Sequence, residues 1–204
     1  MPDSQPLRLT RLAVGELSPV DLTVAPGEVH CLSGPSGCGK SRLLRAVADL
    51  EPHDGTAWLG DLAQTALPAH AWRARVMLVP AESQLWADRV GEHLPHVDVA
   101  DLEALGFSKA VLDWEVSRLS SGEKQRLALL RAISLAPAAL LLDEPTANLD
   151  DATTRRVERW LLGRLHERCW PVLWVAHAAE QIGRVADRHW RFEDQVLKEA
   201  SAWT

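Results

Sequence analysis

Two hydrophobic patterns alternate along most of this chain. Short runs that are apolar at every position occur at Val76–Val79, at residues 140–142 and at residues 172–176. A strand with only one buried face would alternate apolar and polar residues, so these continuous runs predict strands covered on both faces, which is typical of a parallel sheet.

Helical periodicity fills the intervals between these runs. Apolar residues recur at helical spacing in residues 42–48, 123–135 and 152–166. A succession of buried strands and amphipathic helices predicts an α/β fold with a mostly parallel sheet.

Two regions depart from that alternation. Near the N-terminus, residues 7–12 and Val20–Val24 have strand patterns and residues 56–59 resemble one arm of a hairpin, which predicts an antiparallel β part. Residues 90–118 contain only short helical pieces. We expect a single domain over residues 1–204, with a short inserted helical subdomain at about 85–120.

Composition limits the classes of protein that the chain can represent. It has 204 residues, of which 47% are hydrophobic and 25% charged, and a net charge of −6. No apolar run approaches the ~18 residues of a membrane span, and residues 1–6 lack the layout of a signal peptide. The negative charge argues against nucleic acid as a partner, and three cysteines argue against a disulfide framework. These features predict a cytoplasmic protein that reaches a membrane only through a partner.

Residues 34–41 carry the strongest chemical signal in the chain. They read Gly-Pro-Ser-Gly-Cys-Gly-Lys-Ser, which fits the phosphate-binding loop G-x-x-x-x-G-K-[ST], and they lie between a predicted strand and a predicted helix. Glycines allow backbone N–H groups to converge on an anion, while Lys40 reaches the β- and γ-phosphates and Ser41 holds Mg²⁺. The predicted nucleotide ligands here are Gly34, Pro35, Ser36, Gly37, Cys38, Gly39, Lys40 and Ser41.

Two acids end the apolar run at residues 140–142. Asp143 and Glu144 follow it directly, and the carboxyl end of a strand is where an open α/β sheet binds its ligands. We expect Asp143 to face the Mg²⁺ and Glu144 to orient or deprotonate an attacking water.

Three further segments make the chain resemble the ABC-type ATPases. Residues 119–126, Leu-Ser-Ser-Gly-Glu-Lys-Gln-Arg, resemble the signature of that family, usually Leu-Ser-Gly-Gly-Gln. Residues 147–150, Ala-Asn-Leu-Asp, match its D-loop, and His177 matches its switch histidine. Together with the phosphate loop and the Asp-Glu pair, these motifs stand in the order typical of the family.

The resemblance implies a P-loop NTPase fold and ATP hydrolysis with Mg²⁺. It also implies that two cassettes, identical or paralogous, enclose ATP between the phosphate loop of one and the signature of the other. His177 then contacts the γ-phosphate beside Glu144. The signature residues implied at the nucleotide are Ser120, Ser121, Gly122 and Glu123.

Some positions depart from the family pattern. Ala81 stands where the family has the Q-loop glutamine, so metal coordination is altered or Glu82 or Gln84 substitutes for it. Residues 12–14 lack the aromatic ring that stacks on adenine, and Ser121 replaces a glycine, which is tolerable if its φ is not positive.

The leading prediction is the ATP-binding subunit of an ABC transporter, peripheral on the inner face of the cell membrane and bound to an integral membrane permease. The short motifs most resemble small cassettes for iron or other metal export, with haem or lipoprotein export as competitors. A regulatory subunit with weak hydrolysis and a soluble ATPase without transport stay open as alternatives.

Trp86, the two histidines near Pro95 and Cys38 are each considered for one further role: partner docking, metal binding and thiol reactivity, respectively. Trp86, just after the Q-loop position, is a candidate for permease docking, with core packing as the alternative. Pro95 argues against metal binding by the neighbouring histidines His93 and His96. Cys38 in the phosphate loop is a candidate for sensitivity to thiol reagents.

Overall fold

A computed structural model describes residues 4–200, so the outer ends of the predicted 1–204 domain lie outside the described residues. The larger of its two sheets has six strands. They are β3 (Val29–Ser33), β6 (Val76–Val79), β7 (Ala139–Asp143), β8 (Val172–Val175), β9 (Arg188–Glu193) and β10 (Val196–Glu199). Their order is β10-β9-β3-β8-β7-β6, and every pair is parallel except β9 with β10.

The smaller sheet is antiparallel and comes from the N-terminal third of the chain. Its strands are β1 (Leu7–Ala13), β2 (Val20–Val24), β4 (Asp54–Leu59) and β5 (Leu62–Ala63), in the order β2-β1-β4-β5. Buried and exposed residues alternate along β2, as expected for a strand with one covered face.

In the described part of the chain, six α-helices connect and cover the strands. They are α1 (Lys40–Val47), α2 (Ala69–Arg75), α3 (Val99–Ala104), α4 (Ser121–Ser134), α5 (Asp151–Arg168) and α6 (Ala179–Val185). Single 3-10 turns lie at Gln64–Ala66, Val90–His93, Lys109–Asp113 and Val116–Arg118. Across residues 4–200, none of these helices has the length and apolar character needed to traverse a bilayer.

Every residue of β7 and of β8 is buried, so these strands are covered on both faces, which explains their continuous apolar runs. Neighbouring residues of β7 enter different cores: Leu140 and Leu142 pack with α4 and α5, whereas Leu141 packs with α1 and the antiparallel sheet. Trp72 of α2 is fully buried in the core between the larger sheet, α1 and the antiparallel sheet. Its indole N–H donates to the carbonyl of Val47 at 2.8 Å.

The observed fold confirms the predicted P-loop α/β class with an added antiparallel part. The segment 85–120 contains α3 and three 3-10 turns, and its division into a subdomain stays a prediction. The hairpin arm predicted at residues 56–59 starts two residues earlier than expected, because Asp54 and Gly55 already belong to β4.

Candidate functional site

The phosphate loop joins β3 to α1 at the carboxyl edge of the larger sheet. Three of its glycines have positive φ angles, Gly34 at 143°, Gly37 at 77° and Gly39 at 101°, which side chains rarely adopt. Gly39 is the N-cap of α1 and no side chain caps the helix. The first N–H groups of α1 are therefore available to an anion.

The side chain of Lys40 folds back onto the start of the phosphate loop to which it belongs. Its ammonium donates to the carbonyls of Gly34 and Pro35, both at 2.9 Å, and lies 3.7 Å from the Cys38 sulfur. Only 6% of Lys40 is exposed, so its positive charge is held in place at the carbonyls of Gly34 and Pro35. Cys38 is a free, partly buried thiol.

Ser41 and Asp143 meet across α1 and β7. The Ser41 hydroxyl is hydrogen-bonded to the Asp143 carboxylate, and burial, with the charge of Glu144 adding to it, raises the pKa of Asp143. The Oδ1 atom of Asp143 is buried without a hydrogen-bond partner. A hydroxyl beside an unsatisfied carboxylate oxygen is a donor set that fits Mg²⁺, which prefers oxygen ligands and keeps several waters.

Glu144 and His177 form a contact pair at the same edge. Glu144 Oε1 lies 2.7 Å from His177 Nε2, although the residues are 33 positions apart. Glu144 follows β7 with a φ of 48°, and its N–H donates to the carbonyl of Val175 at 3.2 Å. A cleft of about 210 Å³ brings this pair together with the phosphate-loop residues Ser36, Gly37, Gly39, Lys40 and Ser41.

The signature segment starts α4 with a reciprocal cap. The N–H of Glu123 donates to the Ser120 hydroxyl at 3.3 Å, and the N–H and hydroxyl of Ser120 donate to Glu123 at 2.8 and 2.7 Å. The two hydrogen bonds that the Glu123 carboxylate accepts, from the hydroxyl and the N–H of Ser120, lower the pKa of Glu123. Ser121 is the first residue of α4 and does not have a positive φ, so serine is tolerated where the family has glycine.

The signature packs on the D-loop of the same chain. A Cβ atom at Gly122 would lie 2.9 Å from Leu149 Cδ2, which leaves no room for a side chain there unless Leu149 moves. Asp150 then caps α5, accepting hydrogen bonds from the N–H and hydroxyl of Thr153 at 2.9 and 2.7 Å. None of the four predicted signature ligands lines the cleft beside Lys40.

The residues that line the cleft include Arg42, which belongs to none of the motifs, and exclude the segment at the Q-loop position. Ala81, Glu82 and Gln84 do not line the cleft, and a substitute for the Q-loop glutamine at Glu82 or Gln84 stays a prediction. Arg42 does line it, with its Nε donating to Glu51 at 2.7 Å. A basic residue directly after the G-K-S triplet was the signal for Arg42 in the sequence.

Trp86 lies on the surface beyond the Q-loop position. It is 78% exposed, its ring stacks under the guanidinium of Arg131 at 4.6 Å, and it borders a groove of about 580 Å³ between residues 85–89 and 115–117. His93 is buried and accepts the N–H of Ala87 at 3.0 Å. Within residues 4–200 no group of three or more histidine, cysteine, aspartate or glutamate side chains is placed to hold a metal ion.

Comparisons with known proteins agree with one another. The family model described as ABC transporter matches residues 17–147. A probable iron export ATP-binding protein, FetA of Escherichia coli, is 31% identical over 81% of this chain and 80% of its own length. An aliphatic sulfonates import ATP-binding protein, SsuB 3 of Rhodococcus jostii, is 39% identical over 84% of this chain.

The fold also matches a solved structure. A bacterial Atm1-family ABC exporter with ATP bound has a TM-score of 0.85 and 22% identity, over 98% of this chain and 39% of the exporter chain. This chain spans 63% of the sulfonates import protein of Rhodococcus jostii and 60% of that of Cupriavidus necator.

Proposed function

This chain belongs to the ABC transporter family as an ATP-binding subunit, and such subunits are ATP-hydrolysing transport ATPases. We propose that the cleft beside Lys40 is the site at which this chain binds and hydrolyses ATP. The cleft binds Mg²⁺-ATP with its phosphates on the loop of residues 34–41. The contact of 2.7 Å between Glu144 and His177 beside that loop carries the proposal, because it sets a carboxylate and an imidazole where an attacking water must be positioned.

Each residue of the cleft has a separate task in this proposal. Lys40 and the first N–H groups of α1 neutralise phosphate charge. Ser41 and Asp143 would hold Mg²⁺, and the bound ion would supply positive charge that stabilises the negative charge developing on the phosphates. Glu144 takes a proton from water, and His177 fixes the carboxylate and contacts the γ-phosphate.

A second cassette completes the site. Ser120 and Gly122 begin α4, whose N-terminus suits an anion, yet neither lines the cleft of its own chain. We propose that they close on ATP held by another copy, giving a homodimer, or a dimer with a paralogous cassette. The hydroxyl of Ser120 would then exchange its contact with Glu123 for a phosphate oxygen.

The membrane partner is an integral permease, which holds the protein on the inner face of the cell membrane. The groove beside Trp86 is the proposed docking surface, because a large exposed ring next to a concave surface is typical of a protein interface. The net charge of −6 gives no reason to propose nucleic acid as a partner.

Metal export, with iron as the first candidate, is the proposed transport reaction. It is supported by the similarity to the iron export protein FetA over 80% of that protein. A weakly hydrolysing regulatory subunit is a second candidate, favoured by Ala81 and by the cleft that lacks a glutamine at that position.

Site-specific photocrosslinking tests whether the groove beside Trp86 contacts an integral membrane permease. A photoreactive residue in place of Trp86 should capture an integral membrane protein in cells, whereas the same residue in place of the exposed Leu50 should not. Membrane vesicles that contain the captured permease should then move iron only with hydrolysable ATP. Capture at both positions alike, or Trp86→Ala with unchanged permease binding, would contradict the docking surface. ATP-dependent movement of another substrate would contradict iron export.

A further inference from the structure

A buried carboxylate lies behind the catalytic edge and belongs to none of the motifs. Glu158 of α5 is only 3% exposed. Arg184 of α6 donates to both of its oxygens, from Nε at 2.8 Å and from a terminal nitrogen at 2.9 Å. This two-point contact with Glu158 raises the pKa of Arg184. Since a buried charge is costly unless it is paired, Glu158 fixes α5 and α6 relative to each other.

Gln181 extends this arrangement toward the cleft. Its side-chain amide donates to Glu158 Oε1 at 2.9 Å and to the Thr146 hydroxyl at 2.7 Å. Thr146 is buried and stands two residues after Glu144, while Gln181 stands four residues after His177. The bridge therefore joins the turn that carries Glu144 to the helix that follows His177.

The catalytic pair depends on its backbone for position. The side chains of Glu144 and His177 are 37% and 48% exposed, so surrounding packing does little to hold them. Glu144 has a φ of 48°, a conformation that persists in a residue with a side chain only where neighbouring structure enforces it. Thr146 supplies that support on the C-terminal side of the turn.

We infer that Thr146 and Gln181, anchored by Glu158, are positioning residues that keep Glu144 and His177 in contact. This inference rests on the proposed catalytic roles of that pair. Loss of the bridge lets the turn relax, so hydrolysis slows while the phosphate loop still binds ATP. A purely structural brace would change stability alone.

Matched substitutions at Thr146 test the inference. Thr146→Val keeps the shape but removes the hydroxyl, and Thr146→Ser keeps the hydroxyl. With full-length protein in excess over labelled ATP, hydrolysis should be about five- to tenfold slower in Thr146→Val and within about twofold of the parent in Thr146→Ser. ATP affinity should stay the same in both. Gln181→Leu should resemble Thr146→Val.

Asp101→Asn provides the control for stability. Asp101 of α3 is a buried carboxylate that accepts from Trp160 and Arg164, so it braces α5 against a different helix. Asp101→Asn should lower the melting temperature without slowing hydrolysis. The imidazole resonance of His177, assigned with His177→Ala, should move in Thr146→Val and not in Asp101→Asn.

Two outcomes would overturn the positioning role. One is equal hydrolysis rates and an unmoved His177 resonance in Thr146→Val and Thr146→Ser. The other is a slowing in Asp101→Asn that matches the slowing in Thr146→Val at the same loss of stability. If the parent chain hydrolyses no ATP, the proposed function fails, and the His177 resonance alone decides the positioning role.

Discussion

Glu144 Oε1 and His177 Nε2 are 2.7 Å apart, although the two residues follow different strands of the larger sheet. The parallel pairing of β7 with β8 brings them together, because it sets Asp143 beside Val175 and so aligns the carboxyl ends of the two strands. The carboxylate that we propose to orient water is thus in contact with an imidazole, and the phosphate loop lines the same cleft.

His177→Ala should slow hydrolysis by about 100-fold while leaving ATP affinity nearly unchanged. The reason is that the proposed mechanism has the imidazole act on the Glu144 carboxylate and the γ-phosphate, and not on the phosphate loop. His166→Ala, at the exposed end of α5, is the matched control and should keep the parent rate. Steady-state and single-turnover hydrolysis measure both. An unchanged rate in His177→Ala would remove this residue from the reaction.

Asp143→Asn should raise the Mg²⁺ concentration needed for half-maximal nucleotide binding at least tenfold. The amide retains the shape of the side chain and can accept from the Ser41 hydroxyl, but it removes the charge of the buried oxygen that has no partner. Titration of Mg²⁺ at fixed ATP measures the shift. Equal Mg²⁺ dependence in the variant and the parent would show that the metal lies elsewhere.

Gly122→Ala should slow hydrolysis by about threefold through the D-loop, because the new methyl group would lie 2.9 Å from Leu149 Cδ2, the end of a flexible side chain that can turn aside. Leu149→Ala in the same chain creates room and should recover part of the loss. Hydrolysis rates of the two single variants and the double variant give the coupling between the sites. Purely additive losses would contradict a steric origin.

The free energy of unfolding should fall as the pH drops from about 7 to about 5, in part because of His30. Burial lowers the pKa of this histidine in the folded chain, more than its hydrogen bond to Glu28 raises it. In that window the unfolded chain, with a histidine pKa of ~6.5, binds more protons than the folded chain, so stability rises with pH.

His30→Gln should flatten this slope, and denaturant unfolding at several pH values measures it. The amide can still accept from the Trp190 indole and donate to Glu28, as the imidazole does at 3.2 and 2.9 Å. The pKa of His189 is also lowered by burial, so His189 contributes to the pH dependence of stability that remains in the variant. An identical slope in both chains would contradict the role of His30.

The sequence predicted the strands that carry the site because each is apolar on every side and ends in a motif. Residues 140–142 lie in β7 and residues 172–175 form β8, one residue shorter than the apolar run, and Glu144 and His177 beyond their ends line one cleft. The comparisons confirm the resemblance to ABC-type ATPases that these motifs gave.

Other parts of the fold could not be predicted from local pattern. β9 carries Arg188, His189 and Arg191, and pairing with the buried β3 makes it a strand despite these polar residues. α2 and α6 have seven residues each, too short for a helical period to stand out.

The polar network behind the site escaped prediction for a related reason. Glu158 is a charged residue within a helix of arginines and acids, and the sequence gives no sign that it is buried. Its partners Gln181 and Arg184 lie on a helix that the sequence did not show. Only tertiary packing distinguishes Glu158 from the solvated charges beside it on α5.

The most direct test of the account compares the parent chain with Glu144→Gln for ATP binding, hydrolysis and oligomeric state in Mg²⁺. We expect the parent to turn over ATP, and the variant to bind ATP with similar affinity, to hydrolyse it at least about 100-fold more slowly and to accumulate as an ATP-bound dimer. A variant that hydrolyses ATP at the parent rate would contradict the role of Glu144. Failure of the parent chain to bind ATP would contradict the central claim.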